Sequence, residues 1–594
     1  MKAFSFENWS SDTSMTPFLF FVQSMEEMLF PYGHDSYKVP TLNFHYLCIE
    51  IISSIEKINA DVIDKGNMLP MFNELNSMFT NDYIAQKLYG GEFNNLFYQK
   101  NDKGEYNREC RKLKDDPGSD VSLKIIRKTL SFLVDDMSID DKYLNTLKKE
   151  IEIILNSTNL DIENAQKLSG LSRLLLTELV NRGYSQEYIY AQIKERYYST
   201  GTTIDDPMQE INSFWEMFSF EIHKYKVILP VKRADIKKLL DLFRNVTVLN
   251  NNHRLFGNSC RWILEVEVES IDPESARAEA ISLISLFVSL KQYNSHISKA
   301  YDASQAIVKD IESDKEFYLS GNIPLLSRGR TRSDEQIYKR IGEMIHTFPV
   351  IGEKMINVIN LHSSAMDSRN VSNQLLNLWT IIEVLVEVDK HYSYSKITQI
   401  CNTLTTVMNT SYVKSLVEQL LLDLKHCCAD LDSYLDEVIK GDTKTEKMVA
   451  MLVLPEFSQV KINLIASLEM YPLLKYRIEH YSVQFSDKSA LKKLLCNHRQ
   501  RLEWQIMRIY RNRNMIVHDG SHFPYIDLIV QNLHYYVDTL IDTINYYVGE
   551  GYESLEDIYT LLSYRERQYI SMLEDPSPIG DKFVDITLGN AAIE

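Results

Sequence analysis

Only seven cysteines occur in 594 residues, at positions 48, 110, 260, 401, 427, 428 and 496, and no two have Cys-x-x-Cys spacing. That pattern excludes a disulfide framework and the common structural zinc sites. Glycine (20) and proline (15) are too sparse for collagen-like or low-complexity chains, and 35 Tyr with 24 Phe leave little room for extensive disorder. No apolar run approaches the ~20 residues of a membrane span. Residues 1–9 lack the basic start of a secretory signal, and the apolar run 18–22 is too short for a signal core. A cytoplasmic protein without a membrane partner is expected. Also missing are a GxSxG elbow, a GxxxxGK loop, an HExxH pair and a GxGxxG turn, so the corresponding hydrolase, nucleotide, zinc-protease and dinucleotide chemistries have no support.

What is present is acidic and helical. A formal net charge of -18 argues against indiscriminate binding to polyanions, so any nucleic-acid site must be local. Apolar residues at three and four spacing predict helices in 144–155 and 171–180, with breaks at 115–118 and 199–201. The pattern changes in the middle, where 225–231 and 262–268 are β-rich, the second alternating after Ile263, 234–243 is helical, and Asp272-Pro273 opens an Ala-rich helix over 275–290. Beyond a basic loop at Arg328, Arg330 and Arg332, wide apolar stripes predict helices at 375–388, 412–424, 490–516 and 525–547. The expected fold is mainly α. It comprises an N-terminal helical region (1–204), a small α+β module (205–320), a helical bundle (325–550), and a last helix with a tail (551–594).

One segment carries chemistry: Arg508-Ile509-Tyr510-Arg511-Asn512-Arg513-Asn514-Met515-Ile516-Val517-His518-Asp519-Gly520. Gly520 is a helix stop that leaves His518 in the last turn. The helix end favours an imidazolium there and Arg511 and Arg513 oppose it; histidine is the residue suited to acid and base work near neutral pH. Between 491 and 520, Lys492, Lys493, Arg499, Arg501, Arg508, Arg511 and Arg513 face only Glu503 and Asp519, a net of +5 (seven minus two). An acidic chain thus has one basic helix, as a confined RNA site requires.

The stretch Arg513-Asn514-Met515-Ile516-Val517-His518 resembles the motif of HEPN ribonucleases, an Arg followed by four to six residues and a His, with Asn directly after the Arg. The strict form is expected by chance roughly 0.03 to 0.04 times in such a chain. The looser Arg340 to His346 match lacks the Asn, and its Ile341, Met344 and Ile345 point to ordinary packing. Residues 375–383 resemble the opening helix of ApeA-like HEPN domains and 533–541 their closing helix, so the likeness covers roughly 330–550. It implies a metal-independent endoribonuclease without cofactor, built from two facing motifs in a homodimer or higher oligomer. It also implies a toxin-like role in anti-phage abortive infection, with tRNA or another structured RNA as substrate and a phage-derived trigger sensed by the N-terminal regions. Arg513, Asn514 and His518 take the catalytic positions. Arg511, two turns before His518, is the alternative cation; the family pattern favours Arg513. Arg508, Arg511 and Glu383 are candidates for RNA contact or for supporting the motif.

Each feature has a plainer reading. Arg513 and His518 can solvate a helix end in a HEPN domain that serves only as an interaction scaffold, and Glu383 can be a carboxylate satisfied by its neighbours. Adjacent Cys427 and Cys428 on a helix point to different faces, so His426-Cys427-Cys428 is read as structure and no metal ligand is assigned. The Arg328 to Arg332 loop is either an RNA backbone contact or a solvated hinge.

Overall fold

The structure is a computed structural model that describes residues 6–30, 34–91, 93, 113, 115–199, 201, 203–231, 245–249, 262–295, 305–320, 334–368, 370–386, 395–575 and 583–589. It is mainly helical with one small antiparallel sheet in the middle of the chain, the class the periodicity predicts. The helix predicted at 234–243 and the Arg328 to Arg332 loop lie outside the described residues. No single described helix is long and apolar enough to cross a membrane.

The sheet has five strands, β1 (His223–Val231), β2 (Val246–Leu249), β3 (Trp262–Ser270), β4 (Gln305–Asp310) and β5 (Glu316–Ser320), in the order β2-β3-β1-β4-β5. Val227 pairs with Val266 on one side and with Val308 on the other. The alternation read in β3 is the pleat: Leu264, Val266 and Val268 are buried in the same core as Ala276, Ala280 and Ile284 of the Pro273–Ser295 helix. Asp272 caps that helix, accepting from Ser275 N at 2.8 Å, and also accepts from Ser185 N at 2.7 Å, which ties the module to the N-terminal helices. Strands β2, β4 and β5 have no signature in the sequence, because runs of four, six and five residues are too short for a period to show.

Two large cores organise the helices, and they do not follow chain order. One joins N-terminal residues such as Phe18, Phe21, Phe44 and Leu147 to Leu420, Leu424, Ile478 and Leu495 of the later helices. The other is a bundle formed by the helices Pro349–Asp367, Val371–Leu385, Lys396–Thr410 and Ile526–Gly549, with Leu555, Ile558 and Leu562 closing it. The 32-residue helix Lys488–Asp519 belongs to both: Leu491, Leu495 and Met515 lie in the first core, and Leu502, Ile506 and Ile509 in the second. Asp487 starts it, its side chain accepting from Ala490 N at 2.8 Å. This helix carries the Arg-Asn-x-x-x-His motif.

Candidate functional site

The helix ends as its sequence predicts. Gly520 adopts φ 63°, ψ 14°, the left-handed conformation glycine takes without steric penalty. Its N–H donates to Ile516 O at 3.2 Å, and Ser521 N donates to Met515 O. His518 is therefore in the last turn, exposed, beside the half-exposed apolar Val517. The turn has a support that the sequence did not advertise. Asn512, fully buried, donates Nδ2–H to Arg508 O at 3.0 Å and accepts from Phe523 N at 3.1 Å, pinning the chain that leaves the helix.

Arg513 and Asn514 are half-buried, and Arg513 Nη1 donates to Asn514 Oδ1 at 3.2 Å. His518 is five positions after Arg513, about 140° around the helix axis, whereas Asn514 and His518 lie about 40° apart. The hydrogen bond thus turns the guanidinium toward the side of the helix that bears His518. Neither Arg513 nor His518 has an ion-pair partner among the described residues.

The other two arginines are committed elsewhere. Arg508 donates Nε–H to Glu50 Oε2 at 2.9 Å and Nη2–H to Glu74 Oε1 at 2.6 Å, and Arg511 donates Nη2–H to Glu50 Oε1 at 2.6 Å. All four side chains are buried. Burial opposes the charge on Glu50, but the two arginines overcome it and hold the carboxyl below its usual range. Burial pushes Glu74 above that range: Arg508 offsets the rise only in part, and the like charge of Glu50 adds to it. Arg508 and Arg511 are thus engaged by buried carboxylates of the N-terminal helices of the same chain and do not face solvent. Of the two cations left open by the sequence, Arg513 is the accessible one.

Glu383 also takes its plainer role, accepting from Trp379 Nε1 at 3.0 Å and pairing with Lys396 at 3.3 Å; it does not reach the motif arginines. Along the second match, Met344 is buried and His346 exposed, while the side chain of Arg340 lies outside the described ones. Cys428 is buried with Sγ 3.7 Å from Ser467 Oγ, and Cys427 is half-buried.

The expected basic surface needs correction. Lys492 pairs with Glu574, Arg499 with Glu503 and Glu566, and Arg508 and Arg511 with Glu50 and Glu74. Counting charges on one helix misses acids brought to it by distant segments. Lys493 and Arg501 are exposed on a cleft of ≈ 670 Å³. Arg501 stands roughly 25 Å before His518 along the axis. Arg513 is the motif's local cation.

The N-terminal region reaches the helix end as well, through an ion pair of Lys57 with Asp519 and a hydrogen bond from Lys57 Nζ to Ser521 Oγ at 3.2 Å. Glu50 and Lys57 both belong to the Phe44–Asn59 helix. Comparison with protein-family models, curated proteins and solved structures gives no match.

Proposed function

We propose that this chain is a metal-independent HEPN-type endoribonuclease of an anti-phage abortive-infection response, which cleaves tRNA or another structured RNA as a homodimer. The observation that carries this reading is the contrast within one helix end: Arg508 and Arg511 are neutralised in the interior, while half-buried Arg513 and Asn514 and exposed His518 have no ion-pair partner among the described residues, at a terminus whose exit is pinned. A helix end that served only to be solvated has no need of a buried Asn512 fixing its exit.

The chemistry asks for three things. A 2′-hydroxyl must lose a proton, the phosphate must be stabilised as charge develops on it, and the departing 5′-oxygen must be protonated. His518 supplies the proton transfers, Arg513 binds the phosphate through paired N–H donors, and Asn514 orients that guanidinium. Unpaired loops are the expected targets, because splayed nucleotides allow the in-line approach that stacked A-form helices resist. The contacts of Glu50, Glu74 and Lys57 support a restraining role for the N-terminal region, with a phage-derived trigger acting on it.

RNA ends sequenced from cells expressing the chain test the proposal. Discrete new 5′ ends that vanish in His518→Ala are expected. Identical RNA ends from the two proteins, with both folded, would instead favour the interaction scaffold.

A further inference from the structure

His362 lies on the Pro349–Asp367 helix, and His534 and Asp538 lie one turn apart on the Ile526–Gly549 helix. Across the seam between the two helices, His362 Nε2 and His534 Nε2 are 2.9 Å apart, and each is 3.5 Å from Asp538 Oδ1. Among the described residues this is the one grouping of three His, Cys, Asp or Glu side chains whose ligand atoms all lie within 4.8 Å of one another. His534 is buried; the side chains of His362 and Asp538 are 30% and 35% exposed, so the group opens to solvent on one side.

These distances match a coordination shell. Zinc bonds of about 2.0–2.2 Å to nitrogen and oxygen set a tetrahedral edge of roughly 3.3 Å. The observed edges of 2.9, 3.5 and 3.5 Å bracket that value. A point about 2.05 Å from all three atoms lies roughly 0.7 Å out of their plane, close to where an ion sits below one face of a tetrahedron. Two imidazoles with one carboxylate suit first-row transition metals, not Mg²⁺ or Ca²⁺, which prefer all-oxygen shells.

We propose that His362, His534 and Asp538 form a binding site for a divalent transition-metal ion of the zinc class, with three protein ligands and one position left to water. Without the ion, one imidazole donates Nε2–H to the other. When the ion enters, the donor ring takes the Nδ1–H tautomer, both Nε2 atoms offer lone pairs, and no proton is lost. The rings tilt and the nitrogens separate by roughly 0.4 Å. The ion then cross-links two helices of the bundle and stabilises it by mass action. This site is independent of the nuclease proposal, whose groups sit at the end of another helix.

The test uses the full-length protein, stripped with chelator and titrated with Co²⁺, whose four-coordinate complexes absorb strongly in visible light, followed by displacement with Zn²⁺. One Co²⁺ per chain is expected, with affinity falling at least about tenfold in both His362→Gln and Asp538→Asn. Both positions are partly exposed and tolerate replacement better than buried His534. Zn²⁺ should raise the melting midpoint of the wild type and not of the variants. Absence of Co²⁺ binding, or binding that both variants retain unchanged, overturns the proposal. A protein that binds Co²⁺ but leaves RNA intact would sink the nuclease reading alone; one that cleaves RNA but ignores Co²⁺ would sink this site alone.

Discussion

Arg508 Nε–H and Glu50 Oε2 meet at 2.9 Å across 458 residues of chain, with neither side chain more than 4% exposed. Removing one member of such a pair strands its partner's charge in the interior, at a cost of about 3–5 kcal/mol. Arg508→Ala and Arg511→Ala should therefore lower the denaturation midpoint sharply. Arg513→Ala and His518→Ala, with no ion pair to lose among the described residues, should stay within about 1 kcal/mol of wild type and yet abolish RNA cleavage. Chemical denaturation and a cleavage assay on the same four proteins separate the two classes. Equal loss of stability in all four would contradict the assignment of Arg513 and His518 to chemistry.

The contact between Lys57 and Asp519 permits a test of restraint without disturbing the core. Both side chains are partly exposed, at 27% and 36%, so solvent screens the pair and breaking it leaves the core undisturbed. If the Phe44–Asn59 helix holds the motif in check, Lys57→Glu should raise RNA cleavage, or toxicity on expression, in the absence of any trigger. Unchanged or lower activity would mean that the N-terminal contacts help build the site.

The proposed reaction needs two proton transfers and one motif supplies one histidine, so a dimer is the expected active form. His518 and its neighbour Val517 are exposed and open to a facing copy. In an equal mixture of wild type and His518→Ala, random pairing leaves roughly a quarter of dimers fully wild type, so activity should fall toward a quarter and not to half. Activity that scales linearly with the wild-type fraction would point to sites complete within one chain.

The Thr16–Leu29 helix offers a pH-dependent check on the N-terminal core. Burial pushes the carboxyl of Glu26, fully inaccessible to solvent, up to about 7. A folded-state value above the unfolded 4.5 means that the group's contribution is fully present below pH 4.5 and declines as pH rises toward 7. Glu26→Gln is neutral at every pH and removes that dependence. The variant should gain stability relative to wild type between pH 5 and pH 8, by up to roughly 3 kcal/mol. Denaturant midpoints at the two pH values decide it; a gap that stays flat or shrinks would show that Glu26 is not held protonated.

The helix bearing the motif was legible in the sequence because its signals are local: an apolar stripe over 490–516 and Gly520 as its stop; the cap at Asp487 came from the structure. The alternation of β3 was legible for the same reason. The fate of the basic helix was not, since Glu50, Glu74, Glu566 and Glu574 reach it from segments far away in the chain. The metal-binding geometry was half-visible: His534 and Asp538 have the i, i+4 spacing of helix neighbours, but His362 stands 172 residues from His534 and nothing local announces it. Nothing local distinguishes Asn512, flanked by two arginines; its role comes from the backbone N–H of Phe523, eleven residues on, which its buried side chain accepts.

The reaction itself yields the last prediction. In the proposed reaction Arg513, Asn514 and His518 would provide a phosphate clamp and a proton-transfer group, and Asp519, the one carboxylate in the motif, is engaged by Lys57 and Ser521. Two-metal nucleases hold their ions with several oxygen ligands, and the motif has no such set to offer. The nucleophile is then the substrate's own 2′-hydroxyl. RNA should yield a 2′,3′-cyclic phosphate, or the monophosphate formed when it opens, together with a 5′-hydroxyl. DNA should be spared, and a single 2′-deoxy sugar at the target nucleotide should block cleavage there. Cleavage should persist in EDTA even if removal of an ion from His362, His534 and Asp538 lowers the melting midpoint, because that site tethers helices and does not supply the attacking oxygen. End-group analysis of a synthetic stem-loop, with and without chelator, measures all of this at once. Products with 5′-phosphate that disappear on chelation would require metal-activated water and exclude the transesterification, even with His518 essential.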